Sequence, residues 1–231
     1  MASIKTSKGD FKYKSLIIYL GIKQIDKIKA LENLKLLAII LNNKKLHWGP
    51  AFGSLLGIIR DNDFITWDED IDLYILEEEE QLFRDTLWDL RDNGFFLIRY
   101  ERRGLYSVMR NGEYIDFYVL QKLTNNLRET KGGGYMFEKH LTDRISVDFK
   151  GVNLFVPKDY DECLTLQYGD WHTPVQYANY EQNKVMQFIS KIPFFIKNHL
   201  PDCIYFSLLK FHHRKDLQKY KKRCEKHGIQ V

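Results

Sequence analysis

An α+β fold is predicted by three patterns in the chain: a mixed β-sheet flanked by helices, with a helical C-terminal extension. First, residues 23–43 place Ile25, Ile28, Leu31, Leu34, Leu37, Ala38 and Leu41 at three- and four-residue steps, the period of an amphipathic helix. Second, acidic and apolar residues alternate from Asp70 to Ile75, and strand-type runs follow at 95–100, 105–110 and 114–120. Third, helical patterns sit between and after these strands, which fits an α+β layering better than a regular βαβ repeat.

The elements follow in order. Leu46 to Trp48 reads as a short strand punctuated by Gly49-Pro50, and Ser54 to Arg60 as a short helix after a Gly-Ser turn. Glu77 to Arg91 is a helix whose four glutamates sit in the first turn, where the helix dipole favours them, and Gly94 ends it. Residues 122–134 form a polar loop closing on Gly132-Gly133-Gly134. Residues 144–156 read as a hairpin around Lys150-Gly151, and Asp159 to Gln167 as a helix. From about 179 the chain turns helical and ends in a basic stretch, Lys210 to Lys226. The division expected is therefore a catalytic unit over 1–178 and a helical, basic extension over 179–231.

The 231 residues carry a net charge of +4. That balance suits an anionic ligand or an anionic membrane surface and is too weak to argue for nucleic acid. Three cysteines, Cys163, Cys203 and Cys224, form no disulfide framework and point to a reducing, cytosolic setting. The apolar run Leu16 to Leu20 is too short for a signal peptide, and no run reaches the length of a membrane span. Cys203, His212, His213, Cys224 and His227 match no compact zinc spacing.

The chemistry concentrates between Phe52 and Leu73. Asp70 and Asp72 stand two apart on an expected strand, so their side chains leave the same face, and Asp68 shares their parity. Two carboxylates ~5 Å apart repel by about 3 kcal/mol at an effective dielectric of ~20. A cation or a shared proton offsets that cost, and an all-oxygen site suits a hard divalent ion such as Mg²⁺ or Mn²⁺. About sixteen residues upstream, Gly53-Ser54 opens a helix, where backbone N–H groups and a hydroxyl can meet a phosphate. Arg60 closes that helix and can supply a two-pronged phosphate contact. Acidic pairs also occur on plain solvated faces, and Gly-Ser turns are common; it is the combination, with Trp67 beside the acids, that points to a metal-dependent nucleotide enzyme.

Asp116, in Tyr114-Ile115-Asp116-Phe117-Tyr118, is a third acid. It is expected to serve as metal ligand or general base, or else to face water from an edge strand. Lys131 beside the triple glycine is a further candidate for the donor's phosphates, on a loop that closes over substrate or is simply surface. Trp171 stacks on a ligand or packs in the core. The apolar residues 192–211 with the basic tail either pack on the main unit or touch an anionic membrane.

These residues resemble a known family. Gly53-Ser54-Leu55-Leu56-Gly57, Arg60, and Phe64-Ile65-Thr66-Trp67-Asp68-Glu69-Asp70-Ile71-Asp72 are similar to the signature GTLLGxxRxxxFIPWDxDID of LicD-type phosphotransferases, which include fukutin and fukutin-related proteins. Phe155-Val156-Pro157, Leu166 to Trp171 and Pro174 resemble that family's downstream segment, so the likeness spans roughly 30–175. Ser54 stands where the family usually has threonine, and Thr66 where it has proline; the hydroxyl is kept.

The resemblance implies a nucleotidyltransferase fold and transfer of a phosphorylated alcohol, such as phosphocholine or ribitol phosphate, from a CDP-linked donor to a glycan or lipid-linked glycan hydroxyl, with release of CMP. It implies Asp70 and Asp72 as metal ligands, Gly53 and Ser54 on the donor's phosphates, and Asp116 as metal ligand or base; Asp68 and Asp116 compete for the proton. Two other readings remain open: a nucleotidyltransferase moving NMP from an NTP to a small molecule, and a non-catalytic module that kept the fold.

Overall fold

The structure, a computed structural model, describes residues 1–16, 18, 24–175 and 200–229. The expected domain boundary at 178–179 and the apolar residues 192–199 lie outside them, as does the side chain of His212.

Helix α1 (Lys27–Asn43) begins four residues later than its periodicity implies, because Asp26 caps it: the carboxylate accepts from the Lys29 N–H at 3.2 Å. Ala30, Leu34, Leu37 and Leu41 are buried as expected, but Ile28, in the first turn, is exposed. Strand β3 (Trp48–Pro50) takes in the Gly49-Pro50 pair expected to punctuate it, since an edge strand tolerates proline at its end. Helix α2 (Phe52–Asp61) and strand β4 (Ile71–Leu76) follow. The glutamate run opens with a 3-10 turn, Glu77–Glu79, before helix α3 (Glu80–Asp92).

Strands β5 (Phe96–Glu101), β6 (Leu105–Arg110) and β7 (Glu113–Lys122) complete the main path, in the order β3-β4-β7-β6-β5. Only β4 and β7 run parallel; the other neighbours on this path are antiparallel, so the sheet is mixed. Two short strands extend it from β7: β8 (Leu127–Glu129), inside the segment expected to be loop, and β9 (Tyr135–Phe137), directly after it. Before all of these, the polar N-terminal residues, for which the sequence predicts no element, form a hairpin, β1 (Ala2–Thr6) with β2 (Gly9–Tyr13), that buries Ile4, Phe11 and Tyr13. Helix α4 (Glu138–Thr142), the hairpin β10 (Arg144–Phe149) and β11 (Val152–Pro157), and helix α5 (Tyr160–Tyr168) lead to α6 (Asp202–Lys226).

The period-two alternation divides the sheet into two faces. Ile71, Leu73, Ile75, Ile115, Phe117, Val119, Tyr106 and Val108 join α1 and α3 in the larger core. The opposite face carries Asp72, Tyr74, Asp116 and Tyr118, and a second core of Ala51, Leu55, Leu56, Tyr74, Leu164 and Trp171 packs α2 and α5 against it. Helix α6 contributes Tyr220 and Cys224 to a third cluster with Leu127, Phe137 and Leu166. The helical extension is thus packed onto the main unit over its described length.

Candidate active site

The turn into the site is made by Phe52, not by the Gly53-Ser54 pair. Ala51 N–H donates to the Asp72 carbonyl at 3.0 Å, which holds the end of β3 against β4. The chain must then swing sharply into α2, and Phe52 does so in the left-handed region at φ +43°. Such strain in a non-glycine residue is kept only where the surroundings enforce it. Here the Phe52 ring meets Tyr118 edge-on at 5.1 Å, and Gly134 leaves room for it: a Cβ at Gly134 would lie 2.3 Å from Phe52 Cζ.

Gly53 and Ser54 grip Asp72. Ser54 is buried, and its Oγ accepts the Asp72 N–H at 2.8 Å. The Gly53 N–H and the Tyr118 hydroxyl both bond to the Asp72 carboxylate. The bare Gly53 lets the carboxylates close in: a Cβ there would sit 2.8 Å from Asp68 Oδ2 and 3.5 Å from Asp72 Oδ2, and Asp68 would have to shift. The helix N-terminus expected to cradle a phosphate is therefore already directed at carboxylates.

Parallel pairing sets Asp72 of β4 directly opposite Asp116 of β7. The same register continues through Ser107 of β6 to Arg99 of β5, so one polar row, Asp72–Asp116–Ser107–Arg99, crosses four strands on one face. Asp116 and Ser107 are buried. Asp116 therefore does not face water from an edge strand; β7 is central. Arg99 Nη2 donates to Asp116 Oδ2 at 2.5 Å and Arg99 Nε to Ser107 Oγ at 2.8 Å, while Asp116 Oδ1 is buried with no hydrogen-bond partner.

The electrostatics match an acidic centre short of positive charge. Burial pushes Asp70 well above the usual carboxylate range, and the charges of Asp72, Asp116 and Asp68 add to it. Burial likewise raises Asp72, reinforced by Asp116 and Asp68. Asp116 is raised by burial and pulled back by Arg99 and Ser107. Asp68, ahead of β4, is pushed up to about 6 by burial and by Glu69, with Arg60 opposing through space.

The remaining expected residues lie at varying distances from this row. The Arg60 guanidinium is taken by Asp61 through two hydrogen bonds of 2.9 and 2.8 Å, and it reaches the Trp171 carbonyl at 3.4 Å. Lys131 Nζ lies over the Phe206 ring of α6 at 4.3 Å. The triple glycine is a tight turn organised by Thr130, whose Oγ1 accepts from the Gly134 and Gly132 N–H groups at 3.0 and 3.3 Å. Trp171 is a core residue with its indole N–H on Asp161 at 3.2 Å. Cys203 and Cys224 stand near opposite ends of one 25-residue helix, the first exposed and the second buried, so they cannot share a zinc ion.

Sequence reasoning missed Arg99, Ser107, Tyr118 and Phe52. An arginine within the apolar strand run Phe96 to Tyr100 was the available signal, since a charge there needs a partner on a neighbouring strand.

Among the described residues, no three His, Cys, Asp or Glu side chains form a preassembled metal cage. The chemistry of the donor set nevertheless fits a divalent cation: mutually repelling carboxylates in register, one carrying an orphaned buried oxygen.

Residues 47–159 match the family model described as "LicD/FKTN/FKRP, nucleotidyltransferase domain". This segment is a LicD-family domain. Two curated relatives are 24% identical to the chain. Uncharacterized protein RP689 of Rickettsia prowazekii aligns over 140 residues, 58% of this chain and 51% of that protein. Uncharacterized protein RT0683 of Rickettsia typhi aligns over 137 residues, 58% of this chain and 43% of that protein. The chain thus spans about half the length of the curated relatives it matches. Among solved structures, the lincomycin-bound lincosamide antibiotic adenylyltransferase LnuA overlaps at a TM-score of 0.43, with 11% identity over 70% of this chain and 96% of that one. ANT(2″)-Ia in complex with adenylyl-2″-tobramycin also scores 0.43, with 11% identity over 87% of this chain and 99% of that one. Overlaps at that level add nothing to the assignment. Residues 47–159 thus carry a LicD-family nucleotidyltransferase domain, within an α+β mixed sheet flanked by helices.

Proposed function

We propose that the LicD domain is a metal-dependent phosphotransferase that moves a phosphorylated alcohol from a CDP-linked donor to a hydroxyl of a glycan or lipid-linked glycan, releasing CMP. The observation that carries this reading is the register of Asp72 beside Asp116 at the centre of the sheet, with Asp70 at the head of β4. The donor and acceptor classes come from the LicD resemblance.

Asp70, Asp72 and the free Oδ1 of Asp116 are the residues that would hold Mg²⁺ or Mn²⁺, which when bound supplies neutralisation of charge on the donor's diphosphate. Gly53, Ser54 and Tyr118 fix Asp72, and Phe52 sets the direction of α2 over the row. Asp116 has one oxygen committed to Arg99, whereas Asp68 Oδ2 lies beside Gly53. Asp68 is accordingly the base in this scheme. The acceptor oxygen attacks the phosphorus bearing the alcohol, its proton passes to Asp68, and the P–O bond to CMP breaks with the electron pair leaving on CMP. Positioning and electrostatics supply most of the rate in such transfers.

Thermal-shift measurements with CDP-choline, CDP-ribitol, CDP-glycerol, CDP-ethanolamine and NTPs, each with and without Mg²⁺, test the donor class. A ligand bound only by the folded state raises the apparent midpoint. A Mg²⁺-dependent shift with a CDP-alcohol, and CMP on incubation with acceptor, are the expected results. Shifts with NTPs alone, and pyrophosphate as product, would replace this reading by nucleotidyl transfer.

Among the described residues no helix is long and apolar enough to cross a membrane. Ile204, Leu208 and Phe211 form an exposed stripe on α6 beside the exposed Lys210, Arg214 and Lys215. This supports a peripheral contact with an anionic membrane that carries lipid-linked acceptors. Sedimentation with phosphatidylglycerol vesicles that is as strong in Leu208→Asp as in the parent would remove that contact.

A further inference from the structure

The polar row across the sheet ends on a cation held at two points, and the geometry gives that cation a task. We infer that Arg99 is a positioning residue: it grips Asp116 Oδ2 and Ser107 Oγ together and so fixes the Asp116 carboxylate with Oδ1 alone left for a divalent cation. The inference rests on the metal-dependent reading above and deepens it.

Three features carry the argument. Arg99 and Ser107 are register partners on β5 and β6, and Ser107 and Asp116 are register partners on β6 and β7, so the guanidinium reaches Asp116 across a strand that supplies only a small hydroxyl in between. The two contacts, 2.8 Å from Nε and 2.5 Å from Nη2, use the fixed angle of the guanidinium fork. The third nitrogen, Nη1, faces Glu101 Oε1 at 4.0 Å, and Glu101 also accepts from Arg103 Nε at 2.7 Å. Arg99 is thus braced by side chains of β5 and the turn after it as well as by β6.

The consequence falls on Asp116. A buried carboxylate that could rotate would offer either oxygen, or both, to an ion. Pinned by Arg99, it offers one, and that one is the buried Oδ1 without a hydrogen-bond partner. Partners that orient a ligand in this way change metal affinity roughly 10–100-fold when altered.

Charge alone would act in the opposite sense. A cation beside an acidic site repels Mn²⁺, so deleting it should tighten binding. A lysine at position 99 keeps the charge but cannot hold Ser107 and Asp116 at one fixed angle. The informative variants are therefore Arg99→Lys and Ser107→Ala, which preserve charge and weaken the grip.

The test is Mn²⁺ binding by the nucleotide-free protein, followed by electron paramagnetic resonance of the free ion, with the thermal midpoint of each metal-free variant as control for folding. Arg99→Lys is expected to weaken Mn²⁺ binding roughly tenfold. Ser107→Ala should weaken it in the same direction by less, with its midpoint near the parent's. Parental Mn²⁺ affinity in both variants overturns the inference while leaving the metal reading intact. A parent protein that takes up no Mn²⁺ removes the metal reading and this inference with it. Should Arg99→Lys fail to fold, Ser107→Ala, which deletes a single oxygen, decides the question alone.

Discussion

Strand β4 has an acidic segment at each end, and the fold treats the two in opposite ways. At its C-terminal end every glutamate has its own partner. Glu77 accepts from the Lys122 N–H at 3.2 Å, and Glu79 from the His47 N–H at 2.7 Å. Glu78 takes Arg128 at 2.7 and 2.9 Å, and Glu80 takes Arg84 at 2.7 Å and the Tyr106 hydroxyl at 2.5 Å. At the N-terminal end, Asp68, Asp70 and Asp72 lie close enough to repel one another and Asp116, and Arg99 is bonded to Asp116. The contrast separates acids that build the fold from acids held ready for something the chain does not itself supply. Burial and like charge raise the second set, whereas Arg128 and Lys122 hold Glu78 down at about 2.

The largest expected effect breaks the N-terminal group. Asp72→Asn removes one charge from the row and keeps the side chain's size and its backbone bonds to Ser54 and Ala51. CMP release is expected to fall by roughly 10²-fold or more, the scale for losing one electrostatic group at a reacting centre. The metal-free thermal midpoint should stay level or rise, because a repelling charge is gone. A fall in midpoint that matches the loss of activity would place Asp72 with the structural glutamates instead.

The converse change breaks the C-terminal group. Arg128 is 2% exposed and joins Glu78, Glu138 and the Leu120 carbonyl. It ties the 3-10 turn ahead of α3 to β8 and α4. Removing one partner of a buried pair can cost 3–5 kcal/mol. Here the Glu78 and Glu138 side chains are 46% and 31% exposed, so water takes over part of the loss. Arg128→Met is expected to destabilise by about 1–2 kcal/mol in urea titrations, with turnover per folded molecule unchanged. A selective loss of turnover at parental stability would make the glutamate end part of the site.

Much of this contrast is legible in sequence, and what is hidden is hidden for a physical reason. The acids at 68–72 share parity on a strand, so their common face follows from local geometry alone. Lys150-Gly151 marks its hairpin for the same reason: turn chemistry is local. Which strand stands beside β4 is not local. Asp116 lies 44 residues beyond Asp72, and only the parallel pairing of β4 with β7 puts the two opposite each other. Arg99 is further removed, since its role depends on two successive antiparallel registers. The strands β8 and β9, three residues each, are too short to show a period, β8 inside the polar stretch and β9 directly after it. The four glutamates could be read as helix-dipole acids, but their individual partners on β6, β7, β8 and the residue before β3 belong to tertiary structure.

The smallest effect is the pH dependence of the Arg128 variant, and its sign sharpens the comparison. Glu78 has its folded value lowered from 4.5 to about 2, chiefly by the Arg128 hydrogen bond. A carboxylate depressed on folding stabilises the protein above its unfolded value, and that contribution is lost as pH falls through the folded one. The stability gap between parent and Arg128→Met should therefore be full at neutral pH and close progressively from about pH 4.5 towards pH 2. The aspartates at the other end carry raised values, so in the metal-free protein their linkage runs the other way: their destabilising repulsion is relieved, not created, as pH falls. Urea titrations of parent and variant at several pH values read the first term as a difference, with the aspartates common to both and cancelling. A gap that stays constant down to pH 2 would mean that Arg128 acts through its packing and its bond to the Leu120 carbonyl, and that the glutamate end owes its stability to shape rather than to charge.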